Sequence, residues 1–192
     1  MKFIDSHAHL HDSRIYNILD RIVQRAVNAG VTHMASCATM QNNFAKTLDL
    51  SAEYPSVLPF LGVHPWFLET LTRDWKSYLE TKLINTRSGI GETGLDFVDK
   101  NADRDLQMAV FEYHLDLARQ LKRPINIHIR KAWDAFIHLL KKMGPLPVPG
   151  VIHSYSGSAD MVHIFNSYNL YISFSGSITN PGARKVVQAL SD

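Results

Sequence analysis

Lys2-Phe3-Ile4-Asp5-Ser6-His7-Ala8-His9 opens the chain with a β-prone apolar run that closes on two histidines. Its first part, residues 2–5, reads as a strand. Residues i and i+2 of an extended segment point to the same face. His7 and His9 can therefore reach one metal ion together. A bland reading is also available, in which two strand-end histidines hydrogen-bond locally. What favours the metal is recurrence, because other short apolar runs along the chain also end in imidazole or carboxylate.

Working outward, helical spacing of Ile15, Ile18, Leu19, Ile22, Val23 and Ala26 predicts a helix that stops at Gly30. Strands are expected over 31–36, 57–63, 89–92, 124–129, 151–154 and 170–174. Helices are expected up to Tyr54, over 75–83, along the stripe Leu106, Val110, Tyr113, Leu117 and Leu121, and over 132–143, 158–168 and 181–190. Asp103 is the candidate amino-terminal cap of the Leu106 helix. Strands alternating with helices at this spacing indicate parallel βαβ units. Neither GxGxxG nor GxxxxGK[ST] occurs, which removes the main support for a dinucleotide or P-loop fold. The expected fold is an α/β (β/α)8 barrel in one domain over residues 1–192, with strand eight missing.

Composition narrows the function classes. The chain has 192 residues, 45% hydrophobic and 20% charged, which fits a single globular domain with a sizeable core. Twenty Lys and Arg against eighteen Asp and Glu leave a net charge of +2, which excludes a broad basic nucleic-acid surface. Grip on a short strand at a localised site stays open. No apolar run approaches the ~20 residues of a membrane span. The amino terminus lacks the pattern of a signal peptide. Cys37 is the sole cysteine, so neither an intrachain disulfide nor a cysteine-type zinc knuckle is possible. A cytoplasmic setting, no membrane and no obligate protein partner are the expectations. Ten histidines are the unusual feature.

Several of them close strands, and the carboxyl ends of barrel strands carry the chemistry of that fold. Glu92 ends the fourth run, His128 the fifth and His153 the sixth. A satisfied core histidine would explain one of these, but not two on successive strands beside His7, His9 and Glu92. The set splits into two candidate metal sites: His7 and His9 on one, His128 and His153 on the other, with Glu92 between. Two cations about 3.5–4 Å apart suit phosphoester hydrolysis. Asp96 reads as a capping acid or as one that supports a ligand. His64, in Gly62-Val63-His64-Pro65, and Arg130 are candidate substrate contacts, together with the 154–158 loop. Trp66 could line a cleft and stack on a base. His11 reads as loop-exposed, His114, His138 and His163 as solvated or packed helical residues, and Cys37 as a small buried one.

The chain resembles the TatD family of metal-dependent deoxyribonucleases, within the amidohydrolase-like barrels. The resemblance lies in Phe3-Ile4-Asp5-Ser6-His7-Ala8-His9-Leu10, Gly62-Val63-His64-Pro65, Ile90-Gly91-Glu92-Thr93-Gly94-Leu95-Asp96, Ile127-His128-Ile129-Arg130 and His153-Ser154-Tyr155-Ser156-Gly157-Ser158. It implies a (β/α)8 barrel with two divalent ions that hydrolyses DNA, often from a 3′ end. It also implies that His7, His9, Glu92, His128 and His153 are the metal ligands, with Glu92 as the bridge. The family pattern continues to an Asp in a Glu-Thr-Asp context after strand eight, and these 192 residues contain no such motif. Asp192 follows Ala189-Leu190-Ser191 at the end of a helical pattern and is a poor match. The residue serving the attacking water is thus unassigned, and the expectation is a chain that is weakly active or inactive.

The expected function is DNA phosphodiester hydrolysis with single-stranded DNA or 3′ ends as substrate. Zn²⁺, Mn²⁺, Mg²⁺, Co²⁺ and Ni²⁺ all remain candidate metals. Two rivals stand beside it: an amidohydrolase acting on an ester, amide or lactone, since fold does not fix substrate, and a metal-binding pseudoenzyme without turnover.

Overall fold

The computed structural model describes residues 1–191. Strands and helices alternate through them: β1 (Phe3–Ala8), α1 (Leu19–Asn28), β2 (Val31–Cys37), α2 (Phe44–Glu53), β3 (Val57–Leu61), α3 (Trp75–Asn85), β4 (Gly89–Asp96), α4 (Arg104–Gln120), β5 (Ile125–Arg130), α5 (Trp133–Met143), β6 (Gly150–Ile152), α6 (Asp160–Ser167), β7 (Leu170–Ile172) and α7 (Arg184–Ser191). Strand order in the sheet is sequence order, β1 to β7. This is the (β/α)8 succession, with no eighth strand among the described residues. Asp192 lies outside them. None of the described helices is long and apolar enough to cross a membrane.

The chain divides into two compact units, one through Glu92 and one from Thr93, so the boundary falls within β4. In the first unit, β1 pairs with β2 and β2 with β3 in parallel, and β3 meets β4 through Phe60 opposite Gly89 and Leu61 opposite Ile90. Leu10, Leu19, Val23, Met34, Leu50 and Val57 form a buried cluster there. Each such side chain removed from water contributes roughly 1.5–3 kcal/mol before the entropic cost of ordering it.

In the second unit, β5 pairs with β6 and β6 with β7, again in parallel. Its core is aromatic. Phe136 stacks on Phe165 with ring centroids 5.5 Å apart, and Phe111 and Trp133 pack beside them at 5.7 and 5.8 Å.

Several boundaries differ from expectation. The first helix starts at Leu19, because Ser13–Ile18 forms a 3-10 turn capped by the Asp12 carboxylate, which accepts from the Arg14 N–H. Strand four is twice its expected length and runs through Asp96. Strand three ends at Leu61, so His64 sits beyond it, and strands six and seven are three residues each. On α4 the buried face is Gln107, Val110, Phe111, His114, Leu115, Leu117 and Ala118, whereas Leu106 is 40% exposed. The burial thus centres one position away from the expected stripe. Asp103 caps that helix as expected, accepting from the Leu106 N–H at 2.9 Å.

Candidate functional site

In the first unit the site is built from the end of β1 and the middle of β4. His7 and His9 turn toward one another, with their Nε2 atoms 3.2 Å apart. Glu92 Oε2 lies 3.5 Å from His7 Nε2 and 3.2 Å from His9 Nε2. His9 Nδ1 is 2.8 Å from the Cys37 carbonyl, which can only accept. Nδ1 therefore carries the proton in the neutral ring and Nε2 presents its lone pair. Burial alone would lower the pKa of His9. The Glu92 hydrogen bond and charge, with the Cys37 carbonyl, more than offset this and raise it.

These three donors fit a divalent ion. Ligand distances of about 2.0–2.1 Å place neighbouring donors about 3.0 Å apart in octahedral and about 3.4 Å apart in tetrahedral coordination. The observed triangle of two imidazole nitrogens and one carboxylate oxygen has edges of 3.2, 3.2 and 3.5 Å.

His64 approaches the same carboxylate from its other oxygen, with Nε2 3.3 Å from Glu92 Oε1. Its Nδ1 accepts the Trp66 N–H at 3.1 Å. The neutral ring therefore carries its proton on Nε2 and donates it to Glu92. His64 is only 4% exposed, while Trp66, at 57%, stands edge-on to it with ring centroids 4.9 Å apart. Glu92 itself is buried. Gly62 allows the backbone approach, since a Cβ there would lie 2.8 Å from Gly91 Cα.

His11 is half-buried rather than loop-exposed. Burial, followed by the neighbouring His9, lowers its pKa to about 4. Cys37 is fully buried as expected, and burial pushes its thiol well up.

In the second unit, His128 and His153 come together from β5 and the residue after β6. His128 Nδ1 lies 3.3 Å from His153 Nε2, again a spacing that suits two ligands of one ion. His128 Nε2 is 3.1 Å from Asp96 Oδ2. That carboxylate fixes the Nε2–H tautomer and frees the Nδ1 lone pair, the usual arrangement behind a metal-ligating histidine. Asp96 is 2% exposed, and its Oδ1 accepts the Val98 N–H at 3.0 Å. Arg130 is half-exposed, with Nη1 3.9 Å from Asp96 Oδ2.

Backbone contact holds the strands in this arrangement. The Phe97 N–H donates to the Arg130 carbonyl at 2.9 Å. At Gly94 (φ +150°), a Cβ would fall 1.9 Å from the His128 carbonyl oxygen.

Three features were not singled out from sequence. One is the Cys37 carbonyl behind His9, which leaves no side-chain signal. Another is the His64–Glu92 pairing, which joins the segment after β3 to β4. The third is Gln107, whose only signal is a polar residue on the same helical face as Phe111 and His114.

Parallel strands alternating with helices, with paired imidazoles and buried carboxylates at the strand ends, are the build of a metal-dependent hydrolase. The sequence profile of the family described as "TatD related DNase" matches residues 4–192. The chain belongs to the TatD family of metal-dependent hydrolases. It is 31% identical over 187 residues to "Uncharacterized metal-dependent hydrolase YjjV" of Escherichia coli K12, covering 96% of this chain and 72% of that one. It is also 31% identical over 170 residues to the Danio rerio protein named "Putative deoxyribonuclease tatdn3", covering 81% and 62%. The crystal structure of YjjV superposes with a TM-score of 0.93 at 30% identity, over 99% of this chain and 74% of that one.

Proposed function

We propose that this protein hydrolyses phosphodiester bonds in DNA, at single-stranded regions or 3′ ends, with two divalent metal ions. The observation that carries the reading is the triangle formed by His7 Nε2, His9 Nε2 and Glu92 Oε2, whose edges suit a divalent ion. His7 and His9 would hold one ion and His128 and His153 the other, with Glu92 as the shared carboxylate. The two tautomer-fixing contacts support it, since Cys37 and Asp96 each aim a lone pair away from a protonated nitrogen. Membership of a family described by DNA hydrolysis, and a relative named for it, support the substrate.

The ions, when bound, supply a water of lowered pKa and neutralise charge developing on the phosphoryl oxygens. The residues around them set the geometry. His64 holds Glu92 by Oε1, which leaves Oε2 toward His7 and His9. Arg130 offers an exposed cation for a phosphate, and Trp66 an exposed ring on which a base can stack. A near-neutral chain then needs no broad basic surface, because the grip is local.

The test is cleavage of single-stranded DNA labelled at either end, in chelator and then in Mg²⁺, Mn²⁺ or Zn²⁺. Metal-dependent shortening from the 3′ end is expected. A metal-loaded protein that leaves DNA intact while turning over a carboxylic ester or lactone would overturn the substrate assignment. One that takes up no metal would overturn the whole reading.

A further inference from the structure

We infer that Gln107 is a positioning residue for the metal-binding nitrogen of His128, acting through Asp96; this rests on the metal reading proposed above. Gln107 stands in the first turn of α4 and is 2% exposed. Its carboxamide grips both peptide groups of one residue. Oε1 accepts the Asp96 N–H at 2.8 Å, and Nε2 donates to the Asp96 carbonyl at 3.0 Å. A side-chain amide thus takes the place of a neighbouring strand at the last residue of β4.

The consequence reaches the side chain of Asp96. With both main-chain groups held, and Oδ1 held by the Val98 N–H, the carboxylate has little rotational freedom. Oδ2 is left facing His128 Nε2. That contact decides which ring nitrogen of His128 carries the proton, and so leaves the lone pair on Nδ1, the nitrogen that faces His153. A buried amide is costly unless bonded on both sides. An apolar residue would fill the same place on the face shared by Val110 and Phe111, but it would remove both hydrogen bonds that hold the Asp96 backbone and so loosen the strand end that carries its carboxylate.

Filling a strand end is also a purely structural task, and the two roles differ in one observable. A structural Gln107 affects stability alone. A positioning Gln107 sets the tautomer of His128 and the affinity of its ion. The experiment labels histidine with ¹⁵N, reads the imidazole tautomers of the metal-free protein by long-range ¹H–¹⁵N correlation, and then titrates it with Zn²⁺. Wild type is expected to show His128 protonated at Nε2.

Gln107→Met keeps the length and removes both hydrogen bonds. It is expected to give mixed tautomers at His128 and zinc binding about 10–100-fold weaker at that site, the usual loss when the partner behind a ligand is removed. Leu115→Ala, a core deletion on the same helix, controls for lost stability and is expected to change neither reading. Gln107→Glu keeps the acceptor but turns a second oxygen on the Asp96 carbonyl; it decides the matter by the same tautomer shift if the Met variant does not fold. An unchanged His128 tautomer and wild-type zinc affinity in a folded Gln107 variant would overturn the inference. So would an equal loss of affinity in Leu115→Ala. Neither reading uses substrate, so a protein that never cleaves DNA still reports on Gln107. A wild type that binds no zinc would sink the metal reading, while the tautomers still decide whether Gln107 orients His128.

Discussion

Gly94→Ala tests whether strand packing sets the position of His128. At φ +150° the added Cβ would sit 1.9 Å from the His128 carbonyl oxygen and 2.9 Å from its backbone nitrogen. Real Cβ atoms essentially never approach closer than 3.0 Å, so β5 has to retreat by about 1 Å at His128 itself. The backbone conformation adds about 1–3 kcal/mol of strain for a non-glycine residue. Together these put the loss of stability at about 3–5 kcal/mol, in the range reserved for core and backbone lesions. A displacement of about 1 Å at a ligand also costs about 100-fold in turnover where geometry is critical.

Gly144→Ala separates strain from displacement. Gly144 follows α5 at φ +76°, and a Cβ there meets nothing within 4 Å. It carries the backbone cost of about 1–3 kcal/mol and no push on any strand. Urea unfolding, Zn²⁺ titration and the cleavage assay on both variants give the comparison. Gly94→Ala should lose both stability and zinc affinity, and Gly144→Ala stability alone. Wild-type stability and zinc affinity in Gly94→Ala would refute the claim that this contact positions His128.

Three further outcomes are expected. Glu92→Gln keeps the shape but removes the charge proposed to serve both ions, so calorimetric titration should show both binding more weakly; wild-type affinity and stoichiometry would remove Glu92 from the bridging role. His128→Ala and His153→Ala should each lower metal content by elemental analysis while circular dichroism stays folded, and full occupancy in the double variant would eliminate the second ion's site. His114 is fully buried, and burial holds its pKa at about 4 against a usual 6.5. Above pH 6.5 it is neutral whether folded or unfolded. As pH falls from 6.5 toward 4 the unfolded chain takes up the proton first, so stability should drop by about 3 kcal/mol and level off below pH 4. Urea midpoints for wild type and His114→Gln across that range test it, and equal pH slopes would count against it.

The parts of the site that could be read from sequence are those that repeat a local rule. His7 and His9 announce themselves by strand spacing, and His128 and His153 by closing apolar runs. Asp103 is readable as a cap for the same reason. Features set by tertiary contact are not readable in this way. Leu106 reads as a core residue when apolar residues alone define the stripe. The burial centre in fact passes through Gln107 and His114, polar residues whose partners are backbone groups, Asp96 for one and the Val110 carbonyl for the other. His64 likewise reads as a substrate contact from sequence, being a histidine at a strand end. Only the fold reveals that its protonated nitrogen is directed at Glu92.

His9 and His128, two candidate ligands with fixed tautomers, show how one residue type serves through different atoms. His9 is locked by a carbonyl at Nδ1 and offers Nε2, whereas His128 is locked by a carboxylate at Nε2 and offers Nδ1. The choice follows from where each strand places its neighbours. Cys37 ends β2, paired beside β1, so its carbonyl meets the near nitrogen of His9. Asp96 ends β4, and its side chain reaches across to the far nitrogen of His128. The partners differ in strength as well as position. A carboxylate raises the basicity of the imidazole it holds more than a neutral carbonyl does. They differ, too, in how mutation can reach them. The carbonyl behind His9 survives any replacement of the Cys37 side chain that leaves β2 in place. The support behind His128 is a chain of side chains, Gln107 to Asp96 to imidazole, and each link can be cut separately. If both sites hold ions, the one at His128 is the one whose affinity substitution can tune by degrees.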